Sequence, residues 1–251
     1  SSLGWTGEMA ATEGDFIGIV HANLAGGKTD QVMTEQVTHH AKVLPDGSSI
    51  VSLTIERTHR GRQDDPFTGV RNVDYLRVFA PMGSTLIEAS GFDAPDPSLF
   101  SLPEGTAADD ADVRDEDAHS RVDRTSGTRI SIEHDKTVFG NWVQTDPGET
   151  SVVSLTYRLP AGTVRVREGG GGLFDQLVSL IKGNAPARLT YSLYIRQQAG
   201  ASATEFDSTV EVPTGYLPVW QSPERIRTED GSWNMPQHLA GDTVLGFIAE
   251  K

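Results

Sequence analysis

"QVMTEQVTHHAKVLPDGSSIVSLTIERTH", residues 31–59, decides the fold. Two runs, 31–44 and 48–59, flank Pro45-Asp46-Gly47. Proline presets φ there and glycine accepts a positive φ, so the chain reverses as a hairpin. In the second run Val51, Leu53 and Ile55 alternate with Ile50, Ser52, Thr54 and Glu56. That period of two buries one face and wets the other. Adjacent His39 and His40 must then point to opposite faces, so at most one of them can join a given site.

The same pattern extends outward in both directions. "DFIGIVH" (15–21) is a first strand, and "NVDYLRVFAP" (72–81) pairs with "STLIEAS" (84–90) across Met82-Gly83. "TRISIEHD" (128–135) precedes "KTVFGNWVQT" (136–145) and "TSVVSLTYRLP" (150–160), the last two joined by "DPGE". "RLTYSLYIRQQ" (188–198) and "ATEFDSTVEVP" (203–213) make a further hairpin, and "DTVLGFIAE" (242–250) a final strand. About ten strands with closely spaced turns predict a mainly β fold, an antiparallel β-sandwich-like core with long loops. That core spans residues 1–213, with insertions at about 92–127 and 165–187, and residues 214–251 form a C-terminal extension packed on it. The second insertion carries the one short amphipathic helix, 173–182, where Leu173, Phe174, Leu177, Val178, Leu180 and Ile181 share a side and Gly183-Asn184 end it.

Composition narrows the function. The 251 residues hold 21 Lys and Arg against 35 Asp and Glu, a net charge of −14. An acidic chain lacks the concentrated cations that nucleic acid or anionic lipid requires. There is no cysteine, which excludes disulfides, thiolate catalysis and Cys-ligated zinc. No window approaches the ~20 apolar residues of a spanning helix. The chain opens Ser1-Ser2 without Met, which is read as a processed or trimmed product whose membrane anchor would lie upstream.

"HANLAGGKTD" (21–30) follows an apolar strand and looks like the start of a phosphate-binding loop. Alignment on Gly27-Lys28-Thr29 puts Ala22 where the first glycine belongs. The mechanism also needs a helix starting at the lysine, whereas strand-like alternation follows, so no nucleotide is expected. "GDFIGIVHANLAGGKTDQVM", "NVDYLRVFAPMGSTL", "KTVFGNWVQTDPGETSVVSLTYRLP" and "YSLYIRQQAG" instead resemble, in order, the blocks of the DUF4012 family. The resemblance covers residues 5 to about 213 and departs from the family at Arg196-Gln197, where Lys-Gln is usual. It implies an exported bacterial β-rich domain behind an N-terminal membrane helix and implies no activity.

The candidate sites are weighed against structural roles. Asn23, Lys28 and Asp30 sit in the opening loop as binding candidates, where Gly26-Gly27 and Asn23 equally serve a plain turn. Phe174, Leu177 and Ile181 are binding candidates on the helix 173–182, which either caps the sandwich or docks a protein or cell-envelope partner. The acidic run 104–123 lacks the glycine and ligand spacing of a calcium loop and reads as solvated loop. Tyr75, Arg77 and Phe79 share a strand face, and Trp5, Trp142, Trp220 and Trp233 are widely spaced. No zincin spacing or nucleophile elbow occurs, so no catalytic or metal residue and no cofactor is assigned. The expected function is a non-enzymatic exported cell-envelope module acting through binding or assembly. The alternatives are a hydrolase or polysaccharide-processing enzyme with its site in the long loops, and a calcium-dependent adhesion module.

Overall fold

The computed structural model describes residues 12–24, 28–100, 110–167, 186–198, 204–224, 226–229 and 231–251. These residues form a mainly β fold of two packed sheets with one short helix. The strands are β1 (Asp15–Asn23), β2 (Met33–Val43), β3 (Ser49–His59), β4 (Asn72–Pro81), β5 (Thr85–Ser90), β6 (Arg121–Val122), β7 (Arg129–Glu133) and β8 (Lys136–Thr145). They continue with β9 (Thr150–Leu159), β10 (Arg165–Arg167), β11 (Arg188–Arg196), β12 (Thr204–Glu211), β13 (Leu217–Ser222), β14 (Arg227–Glu229), β15 (Ser232–Leu239) and β16 (Thr243–Glu250). The first sheet runs β13-β16-β11-β1-β4-β8-β7-β6, with β10 beside β11, and the second runs β14-β15-β12-β2-β3-β9-β5.

The hairpin of residues 31–59 forms as read: β2 pairs antiparallel with β3 from Met33↔His59 to Val43↔Ser49. Asp46 caps its turn, accepting from the Ser48 amide at 3.0 Å and the Ser48 hydroxyl at 2.6 Å. Inward-facing Val37, Ala41, Val51, Leu53 and Ile55 are fully buried. They meet Ile17, Leu76 and Val78 of the first sheet in one core that extends to Tyr191, Phe206, Trp233 and Phe247. Burying each of the Val, Leu, Ile and Phe side chains contributes about 1.5–3 kcal/mol. A smaller cluster of Phe16, Phe79 and Val138 lies on the outer face of the first sheet, where the Lys136 ammonium sits 4.8 Å from the Phe16 ring centre.

The two expected pairings of 72–81 with 84–90 and of 188–198 with 203–213 are not hairpins, and the strands joined by Asp146–Glu149 do not pair either. β4 and β5, β8 and β9, and β11 and β12 each lie in opposite sheets, so the chain crosses the sandwich at Met82-Gly83, at Asp146–Glu149 and beyond Gln198. A turn motif says that the chain reverses; it does not say whether the returning arm pairs beside its predecessor or over it. The arches also make the fold mixed rather than purely antiparallel. β1 pairs parallel with β11, and β2 parallel with β12. The true β7–β8 hairpin turns on His134 and Asp135, at φ 50° and 56°. Positive φ at both central residues matches strand twist, and His and Asp tolerate it better than bulkier side chains.

The chain after residue 214 belongs to both sheets: β13 and β16 extend the first beyond β11, and β14 and β15 extend the second beyond β12. Part of the acidic run forms α1 (Ala111–Ala118), a polar helix where loop was expected. It stands against the outer face of the first sheet, where Arg129 reaches Asp117 at 2.8 Å. The expected helix 173–182 lies outside the described residues.

Gly91, just after β5, is tightly confined against β9. Its φ is +82°, and a Cβ there would stand 2.0 Å from the Val152 carbonyl oxygen. Strain and overlap together make Gly91→Ala a loss of about 2 kcal/mol or more. The urea midpoint should fall accordingly, and an unchanged midpoint would mean that the β5–β9 edge is not packed this way.

Candidate functional site

The densest ionisable chemistry lies between the sheets at the end where the paired arches cross. In β1, β2, β3 and β4 the inward positions read Asp15-Ile17-Ile19-His21, Glu35-Val37-His39-Ala41, Val51-Leu53-Ile55-Arg57 and Asp74-Leu76-Val78-Ala80. Each apolar row stops on a polar or charged residue at this end, and strand register brings the four together. His21 Nδ1 lies 2.8 Å from Asp74 Oδ2, and His21 Nε2 lies 2.8 Å from Glu35 Oε2. Arg57 Nη1 donates to Asp74 Oδ2 at 2.7 Å and to Asn72 Oδ1 at 3.1 Å. Arg57 Nε stands 3.9 Å from Glu35 Oε2. Two anions and two cations therefore close a neutral cluster. His21 and Asp74 come from the first sheet, Glu35 and Arg57 from the second.

The arches seal this cluster. The Gln198 side chain accepts from the His21 amide at 2.7 Å and donates to the His21 carbonyl at 3.1 Å, standing in for a strand partner just past β11. Thr204 at the start of β12 donates to Glu35 at 3.2 Å. On the other side Asn72 donates to Thr29 Oγ1 at 2.9 Å and to Asp30 Oδ1 at 2.9 Å, and Asn23 donates to Thr29 Oγ1 at 2.8 Å. Of the opening-loop candidates, then, Asn23 and Asp30 meet in one network through Thr29 and Asn72, while Lys28 is exposed and stands apart. No α-helix begins at Lys28; a single 3-10 turn, Thr29–Val32, leads straight into β2. Phe174, Leu177 and Ile181 lie outside the described residues.

Electrostatics follow from this packing. Burial alone would push the His21 imidazole down, but the Glu35 carboxylate and the hydrogen bond to Asp74 outweigh it and raise its pKa to about 9. Glu35 and Asp74 are held below the usual carboxylate range: burial opposes this, and His21 and Arg57 overcome it. His21 is thus an imidazolium at neutral pH, donating from Nδ1 to Asp74 and ion-paired through Nε2 with Glu35, and cannot take up a proton as a general base. The adjoining cavity, lined by Ile17, Ile19, Phe206 and Leu239 beside His21 and Glu35, measures about 20 Å³. That is room for about one water.

A second constellation imitates a nucleophilic triad. His39 Nδ1 lies 3.0 Å from Ser208 Oγ, and its Nε2 lies 3.7 Å from Asp15 Oδ2. Tyr191 donates its hydroxyl to Asp15 Oδ2 at 2.7 Å, and the Phe16 amide donates to Asp15 Oδ1 at 2.8 Å. Burial pushes Asp15 up to about 7 and His39 down to about 3. Asp15, His39 and Ser208 are each 0–1% exposed, so no substrate reaches them. The neighbouring His40 points outward to Glu211 at 2.9 Å, on the face opposite His39.

The remaining sequence candidates are dispersed. Tyr75, Arg77 and Phe79 share the outer face of β4, with the Arg77 guanidinium 5.6 Å from the Phe79 ring centre. Trp233 is in the core, stacked 4.2 Å from Phe247, whereas Trp220 is exposed on the edge strand β13 and Trp5 lies outside the described residues. Among the described residues no group of three His, Asp or Glu side chains is placed to hold a metal ion, in α1 or elsewhere. No helix among them is long and apolar enough to cross a membrane.

No family model and no curated protein matches the chain. Among solved structures it is similar to yeast LTA4 hydrolase in complex with bestatin, at 8% identity and a TM-score of 0.39, over 88% of this chain and 29% of that one. It is also similar to an M1 zinc metallopeptidase from Deinococcus radiodurans, at 12% identity and a TM-score of 0.33, over 87% of this chain and 42% of that one. The chain thus spans less than half the length of either. Likenesses this distant place no residue and assign no activity.

Proposed function

We propose that this chain is a non-enzymatic module that acts through binding or assembly, within an exported bacterial protein of the DUF4012 kind. One observation carries the first part. The side chains equipped for acid–base or nucleophilic work, namely His21, Glu35 and Asp74 and then Asp15, His39 and Ser208, are spent on buried pairings between strands. Open recesses lie instead on the outer faces of both sheets, as expected of a scaffold that presents surface. Export and an envelope setting rest on the four ordered sequence blocks alone.

The test combines retention and turnover. The chain should co-sediment with isolated bacterial envelope fragments, and should release no soluble product from them beyond that released by the His21→Gln variant. Failure to be retained would remove the binding reading. Turnover that His21→Gln abolishes would make the arch-end cluster an active site.

A further inference from the structure

The outer face of the first sheet carries a half-open recess of about 270 Å³ between β4, β7, β8 and α1. Its walls bring two guanidiniums and two carboxylates together. Arg77 Nη1 donates to Glu133 Oε2 at 2.9 Å, and Arg129 of β7 reaches Asp117 at 2.8 Å and Glu116 at 3.5 Å on α1. Ser131 donates to the other Glu133 oxygen at 3.0 Å. The floor is made by Gly140. A Cβ at that position would stand 2.6 Å from the Tyr75 hydroxyl, so the phenol lies directly across the bare backbone. The Tyr75 ring is held edge-on to Trp142, with centroids 5.0 Å apart. Its hydroxyl has no hydrogen-bond partner among the described residues, although it faces a recess rimmed by four charged groups.

We propose that this recess is a binding site for a neutral carbohydrate, about one pyranose unit in size, seated over Gly140 with the Tyr75 hydroxyl as a central contact. The chemistry selects this class. Each guanidinium offers five N–H donors and uses few of them in its ion pair, and each carboxylate keeps acceptor capacity. Because the charges are already compensated, an anion would meet Glu116 and Glu133, and a cation would meet Arg77 and Arg129. Sugar hydroxyls, which donate and accept at once, satisfy the fixed groups without unpairing them. The volume lies just under the ~300 Å³ at which small-molecule sites begin.

The site deepens the binding-module reading and rests on it. The full chain, labelled with ¹⁵N, would be titrated separately with glucose, mannose, galactose and N-acetylglucosamine to tens of millimolar, and with inorganic phosphate as the anionic probe. At least one sugar should give saturable shifts at the amides of Tyr75, Ser131 and Gly140, and phosphate none. Tyr75→Phe keeps the ring and should weaken that sugar about tenfold, the effect of one lost hydrogen bond, with an unchanged melting temperature. Silence with all four sugars, saturation by phosphate, shifts centred on another recess or undiminished binding by Tyr75→Phe would each overturn the proposal. Envelope retention surviving any of these results would show that the carbohydrate site failed while the module reading held.

Discussion

Asp74→Ala is expected to destabilise the fold by about 3–5 kcal/mol, the cost of leaving a buried charge without its partner. Asp74 accepts from both His21 and Arg57 and is itself fully buried. Removing it confines two cations between the sheets with only Glu35 to answer them. At about 2–4 °C per kcal/mol for a chain of this size, the melting temperature should drop by on the order of 10 °C. A companion variant separates charge from packing. Replacing His21, Glu35, Arg57 and Asp74 together with Leu or Met should cost far less than four such losses, because a buried ionic group contributes little over well-packed apolar side chains. An Asp74→Ala protein melting within a degree or two of the parent would mean that solvent reaches the cluster and screens it.

The second large effect is a loss of stability in mild alkali. The folded pKa of His21, about 9, lies above its unfolded value of 6.5. The stability it contributes is therefore fully present below pH 6.5 and is lost as the pH rises through 9. At 1.36 kcal/mol per pH unit this amounts to about 3 kcal/mol. Asp15 acts in the same sense at lower pH: raised from 3.8 to about 7, its contribution disappears as the pH climbs through 7. His39, lowered to about 3, opposes it, since its contribution is present above 6.5 and lost as the pH falls through 3. Depressed Glu35 and Asp74 likewise give up stability only as the solution turns acid. Urea unfolding should thus find maximum stability near pH 6, with a decline from pH 6.5 to 9 whose part above pH 7 His21→Leu abolishes. A flat profile over that interval would contradict the assignment.

Much of the architecture was legible in the sequence, for a simple reason. Period-two alternation and turn residues are local signals, so β1, β2, β3, β4, β8 and β9 appear within a residue or two of the boundaries that the pattern suggests. Sheet membership was not legible. Met82-Gly83 and Asp146–Glu149 reverse the chain equally well as hairpins or as arches, and the choice is made by distant partners such as β5 with β9. The four-residue cluster escaped for a related reason. Its signal, a polar residue ending each inward row, is visible in every strand separately, yet only register shows that His21, Glu35, Arg57 and Asp74 end at the same place. Of the opening-loop residues, Asn23 and Asp30 lie at that end, bonded to Thr29 and Asn72 beside the cluster. The recess over Gly140 depends on α1, a helix that a run of Asp and Glu gave no reason to expect.

The most direct measurement is the pH titration of the His21 imidazole nitrogens by NMR in the intact chain. If His21 is a structural cation locked between Glu35 and Asp74, both nitrogens will show protonated shifts through neutrality and titrate only near pH 9. A midpoint at or below 6.5, or a neutral ring with one bare nitrogen at pH 7, would contradict the buried ionic clasp and return His21 to the list of residues free to do chemistry.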